Sequence, residues 1–313
     1  MKKNFGFWSY SSHLKNKVFP SIKKNKSIIP IKVYTSKKRL KKNNYFLNSK
    51  IEKNKENFLK NKDIDIVYIS SITKNHFKNA LDCIKFNKNV ICEKPICENS
   101  KDLVKLLNLS KKKKLKIFEV YQYTYHPLFL KIKELIKKKE IGNINLIKSS
   151  FTIPLNDKKN FRFKKNLGGG ALMDVGIYPI SLPFFLFKNI KFKIINKKIF
   201  VSKQNKIDTR GSIIANINNN CICHFSWGFN LEYQNYIKLF GKKGMMECDF
   251  IFSKKIIQGG KIKIFKKKEK EYINIKKSNQ INLAFNSYIK AKDNLKNNRI
   301  SLNILKTLEK IKK

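Results

Sequence analysis

Residues 63–96 read DIDIVYISSITKNHFKNALDCIKFNKNVICEKPI, and this stretch decides the architecture. Ile66, Val67, Tyr68 and Ile69 form an unbroken apolar run between Asp65 and the pair Ser70-Ser71. A run without polar alternation reads as a strand covered on both faces. A helical pattern follows from about Asn75 to Phe86, and then a second such run, Asn89 to Cys92, which ends in Glu93-Lys94-Pro95. Strand, helix, strand at this spacing predicts a parallel, doubly wound α/β sheet. Ligands bind at the carboxyl ends of such strands, where Lys94 stands. The proline after it biases Lys94 toward an extended backbone and fixes how its side chain emerges.

Toward the N-terminus, Phe5-Gly6-Phe7-Trp8 is a short strand-like run, followed by Ser9-Tyr10-Ser11-Ser12-His13-Leu14 and a helical pattern through Val18, Phe19 and Ile22. Strand, tight turn and helix open a dinucleotide-binding unit. Its usual glycines are absent: Ser9, Ser11 and Leu14 occupy the G-x-G-x-x-G/A positions. A serine is small and its hydroxyl can hydrogen-bond a phosphate. Ser9, Ser11, Ser12 and His13 are therefore candidate cofactor contacts. The next strand, Ile29 to Tyr34, ends in Thr35-Ser36-Lys37-Lys38-Arg39, with no carboxylate for the adenosine ribose. Hydroxyls and cations suit a 2′-phosphate, so NADP is expected in preference to NAD. Ser70, Ser71, Glu93 and Lys94, at the ends of the next two strands, join the cofactor candidates.

Chemistry also concentrates in residues 160–179, NFRFKKNLGGGALMDVGIYP. Three glycines permit backbone angles closed to other residues, and the apolar run after them reads as a buried helix. Asp174 and Tyr178, four residues apart, are expected on one face of that helix. Arg39, Arg162, Arg210 and Arg299 are the four arginines of the chain, against 70 basic residues in all. A rare arginine marks a place where lysine does not replace a planar donor, which draws attention to Arg162.

With 313 residues, the chain has room for two domains. The longest greasy segment, Ile177 to Phe187, holds two prolines and a serine, so no membrane span is expected and the protein reads as cytoplasmic. The six cysteines lack disulfide-framework spacing and read as reduced, buried thiols with no metal. The formal charge of +49 is carried by lysines spread along the whole chain, so it implies a solvated surface and no specific nucleic acid.

In residues 63–96 and beyond, the chain resembles the Gfo/Idh/MocA oxidoreductases, whose hallmark is the EKP turn. EVYQYTYHPLFLKIKELI (119–136), LGGGALMDVGIYPISL (167–182), IDTRGS (207–212) and LFGKKGMMECD (239–249) are similar to successive family segments. Tyr178, where other members carry histidine, places it near the dihydrodiol and xylose dehydrogenases, although Thr124 stands where that subgroup has arginine. The resemblance implies a Rossmann domain over residues 1–119. It also implies a substrate-binding and oligomerisation domain over 120–313 with an open, largely antiparallel sheet, and a dimer or tetramer. It implies hydride transfer between a nicotinamide and a sugar-like alcohol or cyclic diol, with Lys94, Tyr178 and Asp174 catalytic and Tyr123, Asn160 and Arg162 as further substrate contacts. A cation beside a phenol favours the phenolate, which lets a lysine and a tyrosine pass a proton. His76, which matches a family histidine, is implied near the nicotinamide half of the cofactor, with a structural cap as the alternative, and His126 reads as structural. The alternative is a member with weakened cofactor binding that serves as a binding or assembly subunit.

Overall fold

The computed structural model describes residues 2–36, 51–157, 159–267 and 269–313. They form two compact units, residues 1–121 with 281–302, and residues 122–280 with 303–313.

The first unit is built on a six-stranded parallel sheet in the order β3-β2-β1-β4-β5-β6. Its strands are β1 (Lys3–Trp8), β2 (Ile28–Tyr34), β3 (Ile51–Glu52), β4 (Ile66–Ile69), β5 (Asn89–Glu93) and β6 (Ile117–Val120). All pairings are parallel, as the unbroken apolar runs predict. A π-turn at Leu14–Val18 runs into α1 (Phe19–Ile22), and α2 (Lys55–Lys60), α3 (His76–Lys85) and α4 (Ser100–Lys112) make the connections. Asn99 caps α4 by accepting the Asp102 N–H at 2.8 Å, and Leu103 and Leu106 bury its inner face. The Lys94–Pro95 peptide is cis.

The second unit carries an eight-stranded sheet in the order β14-β13-β12-β11-β7-β10-β9-β8. Its strands are β7 (Ile144–Ile153), β8 (Phe192–Val201), β9 (Asp208–Ile217), β10 (Cys221–Phe229), β11 (Gln234–Gly241), β12 (Gly244–Asp249), β13 (Gln258–Lys266) and β14 (Glu269–Ser278). Only β7 and β10 pair in parallel. Alternation sends Cys221, Cys223, Phe225 and Trp227 of β10 into the core and leaves Ile222 and His224 outside. The helices are α5 (Pro127–Lys137) and α6 (Ile177–Leu186). Pro127 opens α5, and His126 caps it by accepting the Leu128 N–H at 3.0 Å, the structural role its position suggests.

The C-terminal helical segment forms two helices, α7 (Gln280–Lys290) and α8 (Leu295–Lys312). The break falls where Asn294 donates to the Ile117 carbonyl at 2.7 Å and Asp293 caps Leu295 at 3.2 Å. Residues 281–302 also belong to the first unit, whereas the sequence places all of 120–313 in one domain. The physical reason lies in the core contacts. Phe285 packs on Phe5 and Tyr68, and Asn25 donates to Asn282 at 2.6 Å and to Asn286 at 2.8 Å. Lys165–Leu186 is apolar enough by length and mean hydropathy (1.3) to cross a membrane, but 78% of its most apolar part is buried, the pattern of a core segment.

Candidate active site

In the first unit, candidate residues gather at the carboxyl ends of β1, β4 and β5. Ser9 adopts φ 79°, the left-handed conformation a glycine usually supplies at such a turn. Its N–H is held by the Tyr34 carbonyl at 2.9 Å. Ser11 Oγ accepts the Leu14 N–H at 3.1 Å and donates to Ser70 Oγ at 3.0 Å, so serines from two strand ends are knitted together. Ser12 is exposed, Thr35 is buried and Ser36 is exposed; Lys37 and Arg39 lie outside the described residues. Tyr10 Oη and His13 Nε2, flanking the serine turn, are buried without a hydrogen-bond partner among the described residues. A buried polar atom left open this way is built for a polar ligand.

His13 Nε2 lies 3.3 Å from Glu93 Oε1, in ion-pair reach but outside hydrogen-bond geometry, and the Tyr68 hydroxyl donates to the same oxygen at 2.6 Å. Burial alone would push the Glu93 carboxyl up; His13, the Tyr68 hydrogen bond and the Lys94 charge together outweigh it and hold the group below the usual carboxylate range. The Tyr68 phenol, buried beside that charge, is pushed well up. His76 is 2% exposed, with Nδ1 2.8 Å from the Pro95 carbonyl and Nε2 3.0 Å from the Ser71 carbonyl. Its ring is thus spent on the main chain. Asn79 donates to Ser71 Oγ at 2.9 Å.

In the second unit the glycine-rich turn is organised by Arg162 and Asp208. The Gly170 N–H donates to the Arg162 carbonyl at 3.0 Å, and the Leu172 N–H to Asp208 Oδ2 at 2.5 Å. A Cβ on Gly169 would lie 2.4 Å from the Arg162 carbonyl oxygen, and one on Gly170 (φ 128°) 2.5 Å from Asp208 Oδ1. Two of the three glycines are therefore dictated by close approach. Burial pushes the Asp208 carboxyl up, against the Leu172 hydrogen bond. Asn160 accepts the Arg162 N–H at 3.2 Å, and Arg162 Nε donates to Asp174 Oδ2 at 2.5 Å. Asp174 sits in a π-helical segment, Leu172–Gly176, that leads into α6. The expected regular helical face is interrupted there, as at many functional sites.

Tyr178, partly exposed in α6, is packed by the rings of Phe151, Phe252 and Tyr123 at 5.1, 5.4 and 6.0 Å. Tyr123 is fully buried. Its hydroxyl donates to Ser181 Oγ at 2.7 Å, and Ser181 in turn donates to the Tyr178 carbonyl at 2.9 Å. Instead of offering substrate a free hydroxyl, as the sequence suggests, Tyr123 supports α6 from behind. Ser181 and Asp208 are the residues that sequence reading misses here. Asp208 lies in the IDTRGS segment, but nothing local announces a partner 36 residues away.

A parallel sheet with an open serine turn at the end of β1, in a chain that continues into an open mixed sheet, defines a dinucleotide-binding Rossmann protein with a second α/β module. The chain belongs to the Gfo/Idh/MocA family: residues 29–121 match the oxidoreductase family with NAD-binding Rossmann fold, and residues 129–247 match the Gfo/Idh/MocA C-terminal domain. It is 26% identical over 199 residues to the dTDP-3,4-didehydro-2,6-dideoxy-α-D-glucose 3-reductase of Saccharopolyspora spinosa, a match covering 63% of this chain and 59% of that protein. It is 28% identical over 192 residues to the trans-1,2-dihydrobenzene-1,2-diol dehydrogenase of Xenopus laevis, covering 61% and 58%. It is also 33% identical over 131 residues to the NADP-dependent D-xylose 1-dehydrogenase of Hypocrea jecorina, covering 39% and 34%. The matched stretch spans under two thirds of the length of each of these relatives. In fold, the chain is similar to KijD10, a 3-ketoreductase from Actinomadura kijaniata solved with NADP and TDP-benzene. The TM-score is 0.91 at 17% identity, covering 100% of this chain and 97% of that one.

Proposed function

We propose that the protein is an oxidoreductase that transfers a hydride between NADP and a secondary alcohol or ketone of a sugar, a sugar derivative or a cyclic diol. NAD is the second choice of cofactor. The observation that carries this reading is the Glu93-Lys94-Pro95 turn at the end of β5, with Glu93 in ion-pair reach of His13 on the serine turn. The residues fit a phosphate-bearing dinucleotide. Ser9 reproduces the backbone that a phosphate turn needs, and Tyr10 holds an unspent hydroxyl beside it. Ser9, Ser11, Ser12, His13, Thr35, Ser36, Ser70, Ser71, Glu93 and Lys94 are assigned to hold the dinucleotide, with Lys37 beside its 2′-phosphate and His76 acting through Ser71. When bound, the nicotinamide supplies the hydride chemistry.

Lys94 and Tyr178 are assigned to the proton that leaves or joins the substrate oxygen. Asp174, with Asn160 and Arg162, orients substrate; Arg162 Nε holds one oxygen of the Asp174 carboxylate. Residues 1–119, joined by 281–302, are read as the cofactor domain and the rest of 120–313 as the substrate and assembly domain of a cytoplasmic dimer or tetramer. The relatives named above act on sugar derivatives or a diol by their names, which supports the substrate class. A non-catalytic subunit is the second reading, favoured by one observation: the Ser11 hydroxyl is spent on Leu14 and Ser70.

The test is titration with NADPH and with NADH, followed by nicotinamide fluorescence at moderate and high salt. Salt separates a site from general attraction to a +49 surface. Saturable binding that survives salt and prefers NADPH is expected; its absence hands the protein to the second reading. Lys94→Ala and Tyr178→Phe are each expected to cut kcat by about 10²-fold or more. Unchanged turnover removes that residue from the mechanism.

A further inference from the structure

The peptide unit between Pro95 and Ile96, the second one after Lys94, is held at both of its polar ends by side chains from other elements. Its carbonyl oxygen lies 2.8 Å from His76 Nδ1, and its N–H donates to Glu119 Oε1 at 3.0 Å. His76 opens α3, and Glu119 stands on β6. Each holder is itself anchored. The other ring nitrogen of His76 lies 3.0 Å from the Ser71 carbonyl. Glu119 is held on β6, and Ser301 and Tyr121 both act to lower its carboxyl against burial. A peptide plane bonded at both ends cannot turn without leaving a buried donor or acceptor unmet. The direction in which the chain leaves Lys94 is therefore set by two residues that do not need to touch a ligand.

We propose that His76 and Glu119 form a two-sided clamp on the Pro95–Ile96 peptide and act as the positioning residues of Lys94. The proposal rests on the reading of Lys94 as a catalytic residue. His76 faces two carbonyl oxygens, and a neutral imidazole has one N–H to give. Burial pushes the ring toward the neutral form, so the tautomer that serves Pro95 carries its proton on Nδ1. Burial pushes the Glu119 carboxyl up, and its Oε1 accepts the Ile96 N–H. Lys94 is the cation beside it.

The two amide replacements of histidine separate this clamp from a general packing role. Asparagine places an N–H where Nδ1 stands and keeps the bond to Pro95; glutamine reaches instead toward Ser71. In steady-state kinetics on the NADPH-loaded protein, His76→Gln and Glu119→Leu are expected to lower kcat about 10- to 100-fold, with KM and the NADPH Kd within about threefold. His76→Asn and Glu119→Gln, which retain the bonds to the peptide, are expected to keep kcat at least about fivefold above that of His76→Gln and Glu119→Leu. In a Lys94→Ala background none of the four lowers the residual rate further, because the clamp works through the missing amine. Equal kcat for His76→Asn and His76→Gln, or losses that persist in the Lys94→Ala background, overturns the clamp.

A second readout does not depend on turnover. With lysines ¹³C-methylated, the Lys94 resonance, identified by its loss in Lys94→Ala, is expected to move in His76→Gln and stay in His76→Asn. If the wild type turns over no sugar or cyclic alcohol, the catalytic reading fails and this resonance alone decides the clamp. An identical Lys94 signal in both histidine variants overturns it.

Discussion

Gly170 shows how closely one residue is specified. At φ 128° an L side chain is strained, and a Cβ there would sit 2.5 Å from the Asp208 carboxylate that caps Leu172. Gly170→Ala therefore meets strain and displaces a cap at once, and urea denaturation is expected to show a loss of about 2–4 kcal/mol. Asp208→Ala leaves the Leu172 N–H without its acceptor and is expected to cost about 1–3 kcal/mol. If Gly170→Ala costs nothing, the turn has another conformation. The triple glycine was legible as a turn from composition alone. Its cause was not, because Asp208 reaches it from another strand. The scarcity of arginine was informative in both motif-borne cases. Arg162 pairs with Asp174, while Arg210 lies with its guanidinium 4.4 Å from the Phe200 ring centroid, stacked instead of ion-paired. Arg162→Lys is expected to lower turnover about tenfold, since a point charge does not reproduce the planar donor; steady-state kinetics reads it.

Among the elements, the helix after the glycines carries the largest difference between reading and structure. Spacing of four residues implies one face of an α-helix, but Asp174 lies in a π-turn and its carboxylate goes to Arg162. Sequence periodicity cannot register one inserted residue per turn. What permits this element to lie close on β10 is Gly176, where a Cβ would stand 2.9 Å from the Trp227 ring. Gly176→Ala is expected to overpack that contact by about 1–3 kcal/mol, seen as a lower Tm and altered tryptophan emission. Trp8, the other tryptophan, lies in the first unit, so Trp8→Phe isolates the signal. The parallel strands β1, β4 and β5 were legible because each apolar run is local and bounded by polar residues. In the hairpin β11–β12 the strand periodicity runs through the tight turn at Lys242-Lys243 without a break, so alternation alone does not separate its two strands.

For the whole molecule, buried titratable groups set how stability follows pH. His126 is lowered to about 4 by burial and by the Lys254 charge, and Lys254 to about 7 by burial, from ordinary values of 6.5 and 10.5. Both pKa values are lower in the folded state. Between 4 and 6.5 for His126, and between 7 and 10.5 for Lys254, the unfolded chain therefore holds the extra proton. Stability rises with pH wherever that is so, by at most about 1.4 kcal/mol per pH unit for each group. The thiols act with the opposite sign. Burial pushes Cys83, Cys92, Cys97 and Cys248 above the ordinary value of 9, and Cys223 is pushed up by its hydrogen bond with Cys221 and by burial. Cys221, lowered by its Cys223 partner, is the exception. Above about pH 9 the unfolded chain sheds thiol protons that the folded one keeps, and stability falls. Thermal unfolding from pH 5 to 10 is therefore expected to give a Tm maximum between about 7 and 9. Lys254→Met removes the amine whose deprotonation drives the rise on the near-neutral side. In that variant the Tm is expected to be flat from pH 7 to the alkaline decline, with a gain at pH 7 over the wild type. A wild-type Tm that does not rise between pH 7 and 8.5 would mean that Lys254 stays protonated in the folded protein, with a compensating partner close to its Nζ besides the Ile251 carbonyl that accepts from it at 2.7 Å.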